Sequence, residues 1–317
     1  MKQKILQTIE SYAAIAIYRH EKPDPDAFGS QAGLAALLKH NYPEKTIYMF
    51  GEEEPSLSFL TNMDEGESSV LNEQAFLTVI CDTGNTERID GSRWQEGSRL
   101  VKIDHHPNVE AYGHDIWVNT EASSTSEMII DLFLTAKESR GWEMTTEAAR
   151  LLYAGIIGDT GRFQFSNTTP DTLRLAAEVL RYPFDTTELF TRFYESDEKI
   201  VRLKGEVLQH FELTEEGLGI ARLTKTMLER YNISINESSA LVNAFSETKG
   251  LKAWVFFVEE EENYRVRLRS KGPVINEIAA AHRGGGHPMA SGAKAYDQNE
   301  INEIIKELKN VCREYQE

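Results

Sequence analysis

Short apolar runs alternate with longer stretches of helical periodicity through the first half of the chain. The runs AAIAIYRH, KTIYMF, FLTVICD and RLVKIDHH read as strands, and helices are expected near 28–40, 124–138 and 146–157, with one more helix ahead of the first strand. Apolar strands separated by helices predict an α/β fold with a doubly wound, mainly parallel sheet. Helical patterns also cover roughly 170–181 and 186–210, the second containing the charged stretch ESDEKIVRLKGEVLQH, which reads as a bridge between domains. After about residue 211 the pattern changes. Strands GLGIARL, KAWVFFVEE and YRVRLRS, with helices near 236–248, 273–282 and 298–315, predict a smaller mixed-sheet α/β domain. The expected organisation is a first domain over 1–190, a linker helix over 191–210 and a second domain over 211–317.

A length of 317 residues suits two domains better than one, and 40% hydrophobic with 27% charged residues is an ordinary globular balance. No stretch reaches the roughly 18 apolar residues that a membrane span needs. The N-terminus lacks a small-residue cleavage site, so a cytoplasmic protein with no membrane partner is expected. Cys81 and Cys312 lie far apart and fit neither a disulfide framework nor a thiolate zinc pattern. The net charge of −17 argues against wrapping a long nucleic acid, because neutralising many phosphates takes an extended basic surface. A short anionic substrate, held by a few local positive groups or metal ions, remains compatible with it.

The candidate chemistry sits at the strand ends. His20, Asp24 and Asp26 follow the first strand, Asp82 ends FLTVICD, Asp104, His105 and His106 end RLVKIDHH, and Asp159 follows the apolar run of LLYAGIIGDTGRF. In a doubly wound sheet, ligands gather at the carboxyl edge of the strands, where these groups should converge. An Asp-His-His triplet alone is as compatible with a turn cap or a satisfied polar cluster. So many carboxylates gathered with imidazoles at one edge repel one another and resist ionisation unless cations compensate them. The donors are oxygen and nitrogen only, which favours Mn²⁺, with Mg²⁺, Co²⁺ or Fe²⁺ as substitutes, over structural zinc. There are more donors than one ion uses, and a pair of ions is the usual apparatus for hydrolysing phosphate esters. Neither a G-x-S-x-G elbow nor a P-loop is present, in keeping with water as the nucleophile. Cys81 should point to the opposite face of its strand, into the core.

The segments HEKPDPDAFGSQ, VICDTGN, KIDHHPN and GIIGDTGRF resemble the four motifs of the DHH phosphoesterase superfamily, and RLRSKGPVINEIA followed by GGGHPMASGA resembles its DHHA1 C-terminal domain. Through KPDPDA, WVFFVEE and VRLRSKGPVIN the chain is similar to the branch of bifunctional oligoribonucleases that also act as pAp phosphatases. The resemblance implies that His20, Asp24 and Asp82 hold one metal ion, and that Asp26, Asp82, His105 and Asp159 hold a second, with Asp82 shared. It implies that His106 faces the scissile phosphate as general acid or charge stabiliser, and that Asp104 orients an imidazole from behind. The implied substrates are short RNA oligonucleotides and 3'-phosphoadenosine 5'-phosphate (pAp), with the active site in a cleft between the domains. A homodimer is a compatible assembly. Linear or cyclic dinucleotide hydrolysis by the same centre is the alternative activity. A pyrophosphatase is disfavoured by the GGGH segment, and an inactive nucleotide-binding regulator by the intact ligand positions.

In the second domain, Arg265, Arg267, Arg269 and Lys271 alternate with apolar residues, which puts the cations on one strand face. For Arg265 and Arg267 a solvated face is the simpler reading. Gly284, Gly285 and Gly286 permit close backbone approach, and exposed N–H groups there could cradle a phosphate. By resemblance Arg269, Ser270, Lys271, the three glycines and His287 bind the nucleotide portion of the substrate. Ser124 to Glu127 reads as a capping box, and the acidic run near 259–263 as a hairpin turn. His40, His114, His210 and His282 lie outside the motifs as surface or packing residues. Arg88 is open between a phosphate contact and a structural ion pair.

Overall fold

The computed structural model describes residues 1–64, 71 and 75–315. The chain divides into two compact units, Met1–Tyr194 and Glu195–Glu317. In the first, β1 (Ala14–Tyr18), β2 (Thr46–Met49), β3 (Phe76–Cys81), β4 (Arg99–Asp104) and β5 (Asp115–Val118) form one sheet in the order β2-β1-β3-β4-β5, every pairing parallel. AIAIY and FLTVIC are buried at every position, as strands covered on both faces must be. Tyr18 pairs with Ile80, Cys81 with Ile103 and Asp104 with Val118, so the strands end along one edge. Cys81 is fully buried in the core. β5 is an additional edge strand whose apolar run is too short to announce itself in the sequence.

Three helices meet over this sheet. α1 (Lys2–Glu10) leads into β1, and α2 (Pro25–Asn41), α3 (Thr125–Arg140) and α4 (Thr146–Asp159) each begin at a side-chain cap, supplied by Asp24, Ser124 and Thr145. α2 starts ahead of the expected residue 28 because Asp24 caps it and Pro25 takes the first helical position. Glycines let these helices approach at backbone distance. A Cβ at Gly29 would lie 2.6 Å from the Leu151 carbonyl oxygen, and one at Gly155 would lie 1.9 Å from Ser126 Oγ and 2.8 Å from Asp26 Oδ1. α5 (Pro170–Val179) and α6 (Thr186–Tyr194) complete the unit. The helix expected over 186–210 is two: α6 ends at Tyr194, Asp197 takes ψ 140, and α7 (Glu198–His210) follows. The break falls at Ser196 and Asp197, residue types whose side chains compete with helical backbone bonds.

In the second unit, Leu203 and Val207 of α7 are buried with Leu223, Trp254 and Phe256. β6 (Glu212–Leu213), β7 (Leu218–Leu223), β8 (Ala253–Glu259), β9 (Tyr264–Ser270), β10 (Gly285–His287) and β11 (Ala290–Ala295) give a mixed sheet in the order β10-β11-β9-β8-β7-β6, with β7 and β8 parallel. α8 (Lys225–Tyr231), α9 (Asn276–Ala281) and α10 (Gln298–Glu314) pack with it. The helix expected over 236–248 is instead a 3₁₀ turn at Glu237–Leu241 followed by successive turns. Its bonds run three residues back, as in Ala244 to Leu241, and the Ser238 hydroxyl donates to the Ile235 carbonyl. The glycine run is likewise not an open loop: β10 forms a hairpin with β11, pairing Gly285 with Gly292 and His287 with Ala290.

Candidate metal centre

The strand-end residues of the first unit converge on Asp82. His20 leaves β1, and its Nε2 lies 3.6 Å from Asp24 Oδ2 and 3.5 Å from Asp82 Oδ2. His105 leaves β4, and its Nε2 lies 3.4 Å from Asp82 Oδ1 and 3.2 Å from Asp159 Oδ2. His106 turns back, with Nδ1 2.9 Å from Asp104 Oδ1 and 3.5 Å from Asp82 Oδ1. Three groups, His20 with Asp24 and Asp82, Asp26 with His105 and Asp159, and Asp82 with His105 and His106, each offer ligand atoms within 4.8 Å of one another. Asp82 has φ 53, a left-handed backbone that a non-glycine residue adopts only at a cost.

Local structure aims these side chains. Asp24 spends Oδ1 on the N–H groups of Asp26 and Ala27 and keeps Oδ2 toward His20. His20 Nδ1 lies 2.8 Å from the Glu21 carbonyl oxygen, a partner that leaves Nε2 as the ligating nitrogen. Asp26 is fully buried, and its carboxylate accepts from Thr125 N–H at 2.7 Å and Ser126 N–H at 2.8 Å, at the positive end of α3. The Thr125 hydroxyl donates to Asp82 Oδ1.

The charge balance is that of a site suited to a cation. Burial raises Asp26 well above the usual carboxylate range, and the charges of Asp82 and Asp159 add to it. Burial likewise raises Asp159. Burial by itself would lower His20 and His105, but the surrounding carboxylates outweigh it and raise both to about 10. Burial opposes ionisation of Asp24, yet His20 and the α2 N–H groups hold it down at about 2. The clustered carboxylates thus favour positive charge at the imidazoles. His105 Nε2 is buried among carboxylate oxygens without a well-aligned hydrogen bond, as suits a lone pair aimed at an ion. The donor set fits one or two divalent cations that accept oxygen and imidazole ligands.

Several residues that shape this centre escape sequence reasoning. Thr125 and Ser126 act through backbone N–H groups, and the nearest signal was the cap at Ser124. That cap is present, with Glu127 N–H donating to Ser124 Oγ, but the Glu127 carboxylate returns to Ser123 and Thr172 rather than closing the box on Ser124. Arg88 NH2 lies 3.1 Å from His20 Nδ1, and no carboxylate ion pair is recorded for it among the described residues. Lys102 is wholly buried beneath Asp104, a lone cation visible in the sequence as the interruption in VKID.

In the second unit, Arg265, Arg267, Arg269, Arg283, Gly284, Gly285 and Lys294 line part of a cavity of about 480 Å³. Val266 and Leu268 face the core, as the alternation predicts. Arg267 donates to Ser238 and to the Ile235 carbonyl, and Arg265 pairs with Glu260, which gives both a structural role. Burial and the neighbouring Arg265 and Arg269 lower Arg267 to about 10. The Gly284 N–H is taken by the Ala279 carbonyl, so it is not free to cradle an anion. Ser270 donates to the Pro273 carbonyl, while Lys271, Gly286 and His287 are exposed. His282 packs between Glu300 and Glu307, and the His114 Nδ1 accepts from Leu100 N–H.

Residues 14–156 match the N-terminal domain of the DHH family, and residues 220–314 match the DHHA1 domain. The chain is 48% identical over 316 residues, covering all of both chains, to a Bacillus subtilis protein named bifunctional oligoribonuclease and PAP phosphatase NrnA. It is 43% identical over 98% of each chain to a Streptococcus mutans protein named as a probable enzyme of the same kind. Among solved structures, an exopolyphosphatase-related protein of Bacteroides fragilis shares the fold with a TM-score of 0.86 at 23% identity, covering 98% of this chain and 97% of that one.

Proposed function

The chain belongs to the DHH family, and from that premise we propose that it hydrolyses short oligoribonucleotides to mononucleotides and converts pAp to AMP. Full-length identity to a relative named for both activities supports this reading, and the intact set of His and Asp ligands supports catalysis rather than mere binding. The observation that carries it is the meeting of four separate chain segments around Asp82 and His105. His20, Asp24 and Asp82 would hold one ion, and Asp26, Asp82, His105 and Asp159 a second. Mn²⁺ is the proposed metal, with Mg²⁺ or Co²⁺ able to substitute. When bound, such a pair supplies positive charge to the phosphate and acidifies a water.

The chain's own residues carry the rest. Asp104 lies where it fixes the His106 ring through Nδ1, leaving Nε2 to donate a proton to the departing oxygen or to stabilise charge on the phosphate. As the water oxygen bonds to phosphorus, the P–O bond to the leaving nucleotide breaks, that oxygen takes the His106 proton, and the water's own proton stays on the product phosphate or passes to solvent. Burial opposes the Asp104 charge, but His106 and Lys102 keep it ionised, below the usual carboxylate range. In the second unit, Arg269 is proposed to grip a substrate phosphate, together with Ser270, Lys271, Gly285, Gly286 and His287, but not the Gly284 N–H, which the Ala279 carbonyl takes. Three arginines on one strand face favour an anion there. No helix among the described residues is long and apolar enough to cross a membrane.

The test is product analysis with pAp, linear diadenylate and a five-nucleotide RNA, with Mn²⁺ and after chelation. AMP from pAp and mononucleotides from both RNAs, all lost on chelation, are expected. Turnover of diadenylate alone would replace this reading with a dinucleotide phosphodiesterase. Undiminished turnover without metal would end it.

A further inference from the structure

Lys102 is a buried cation whose only part so far is to favour the charge on Asp104. It lies on β4 between Val101 and Ile103, which enter the main core, and its own side chain has no exposed surface. Its Nζ meets three acceptors, Gly84 O at 3.0 Å, Asn108 Oδ1 at 3.3 Å and Glu110 O at 3.3 Å, and it lies 4.3 Å from the centre of the Tyr112 ring. Three acceptors match the three N–H groups of an ammonium. Asp104 Oδ2 is 3.5 Å away and, buried, has no hydrogen bond of its own. Asp104 Oδ1 meanwhile takes both the backbone N–H and the Nδ1 of His106. The carboxylate therefore stands between a fixed cation on one side and the His106 ring on the other.

The surroundings keep that cation from moving. Tyr112 donates to the Thr83 carbonyl, Glu110 accepts from Thr86 N–H and hydroxyl at 2.8 Å each, and the Thr83 hydroxyl donates to Cys81 O. These contacts brace the turn that follows Asp82, and Lys102 joins the same turn through Gly84. We propose that Lys102 is a positioning residue for the hydrolysis, acting through Asp104 to hold His106 in its phosphate-facing orientation. The inference rests on the role given to His106 above.

A double-mutant cycle tests it, with Lys102→Met, His106→Ala and the double variant assayed on diadenylate with saturating Mn²⁺. Lys102→Met should lower kcat roughly 30- to 100-fold with KM within about 3-fold, and should cost less than about 3-fold further in the His106→Ala background. Lys102→Gln keeps a donor for Gly84 while removing the charge, and is read the same way if the methionine variant fails to fold. A loss of the full factor in the His106→Ala background, or a loss that only tracks the folded fraction, overturns the inference alone. A fully active His106→Ala enzyme overturns the role of His106 and the inference with it.

Discussion

Replacing Gly29 by alanine should disturb both the fold and the metal centre. Alanine is the better helix former by about 1 kcal/mol, so on an open helix face the change would stabilise. At Gly29 the new Cβ would stand 2.6 Å from the Leu151 carbonyl oxygen, about 0.8 Å short of the 3.4 Å at which ordinary contact begins. The obstacle is backbone, with Gly155 N at 3.0 Å and Gly155 Cα at 3.1 Å, so α2 and α4 must move apart. Overpacking of this kind costs about 1–3 kcal/mol, so after the propensity gain a net destabilisation of up to about 2 kcal/mol is expected. The displacement falls one helical turn from Asp26, so Mn²⁺ affinity should drop as well. Gly205 in α7 has nothing within 4 Å of its would-be Cβ, and Gly205→Ala should gain about 0.5–1 kcal/mol, serving as the opposite-sign control. Urea unfolding of the metal-free variants, paired with Mn²⁺ titration, measures both effects. A Gly29→Ala protein as stable as Gly205→Ala would refute the reasoning.

Two further predictions follow from the centre. Asp82→Ala and Asp82→Gly should both abolish metal-dependent phosphate release, yet the glycine variant should be the more stable by about 0.5–1 kcal/mol, because only glycine accepts φ 53 without steric cost; equal stability in urea would show that no strain is held there. His20 and His105 are raised from the ordinary 6.5 to about 10 in the metal-free protein, so their stabilisation is whole below about pH 6.5 and is lost as the pH rises toward 10. Mn²⁺ must displace those protons, so calorimetry at pH 7 in two buffers of different ionisation heat should record proton release, and its absence would mean that the imidazoles are not ligands.

Much of the candidate site was legible because strand-end chemistry follows from a local pattern joined to one topological rule. His20, Asp82 and His105 each follow an apolar run, and a parallel sheet brings the ends of such runs to one edge. What escaped depends on partners remote in sequence. The glycine run reads as a loop until β11 supplies its mate. The stretch over 236–248 has helical apolar spacing, yet its serines and asparagines favour three-residue turns. Lys102 looks like a flaw in an apolar strand, and its meaning emerges only when Gly84, Asn108 and Glu110 surround it. Asp26 stands out as a candidate ligand within its motif, but the helix start that steadies it lies 99 residues onward at Thr125.

The order β2-β1-β3-β4-β5 bears on how the protein matures in the cell. Because the group of Asp26, His105 and Asp159 needs the end of α4, a nascent chain cannot present all the candidate ligands together until that helix has emerged and docked, although His20, Asp24 and Asp82 are synthesised earlier. Loop closure over such separations is slow compared with local helix formation. A complete pair of proposed ion sites would thereby come late in biogenesis, so that capture of the second ion would act as a seal on a finished domain.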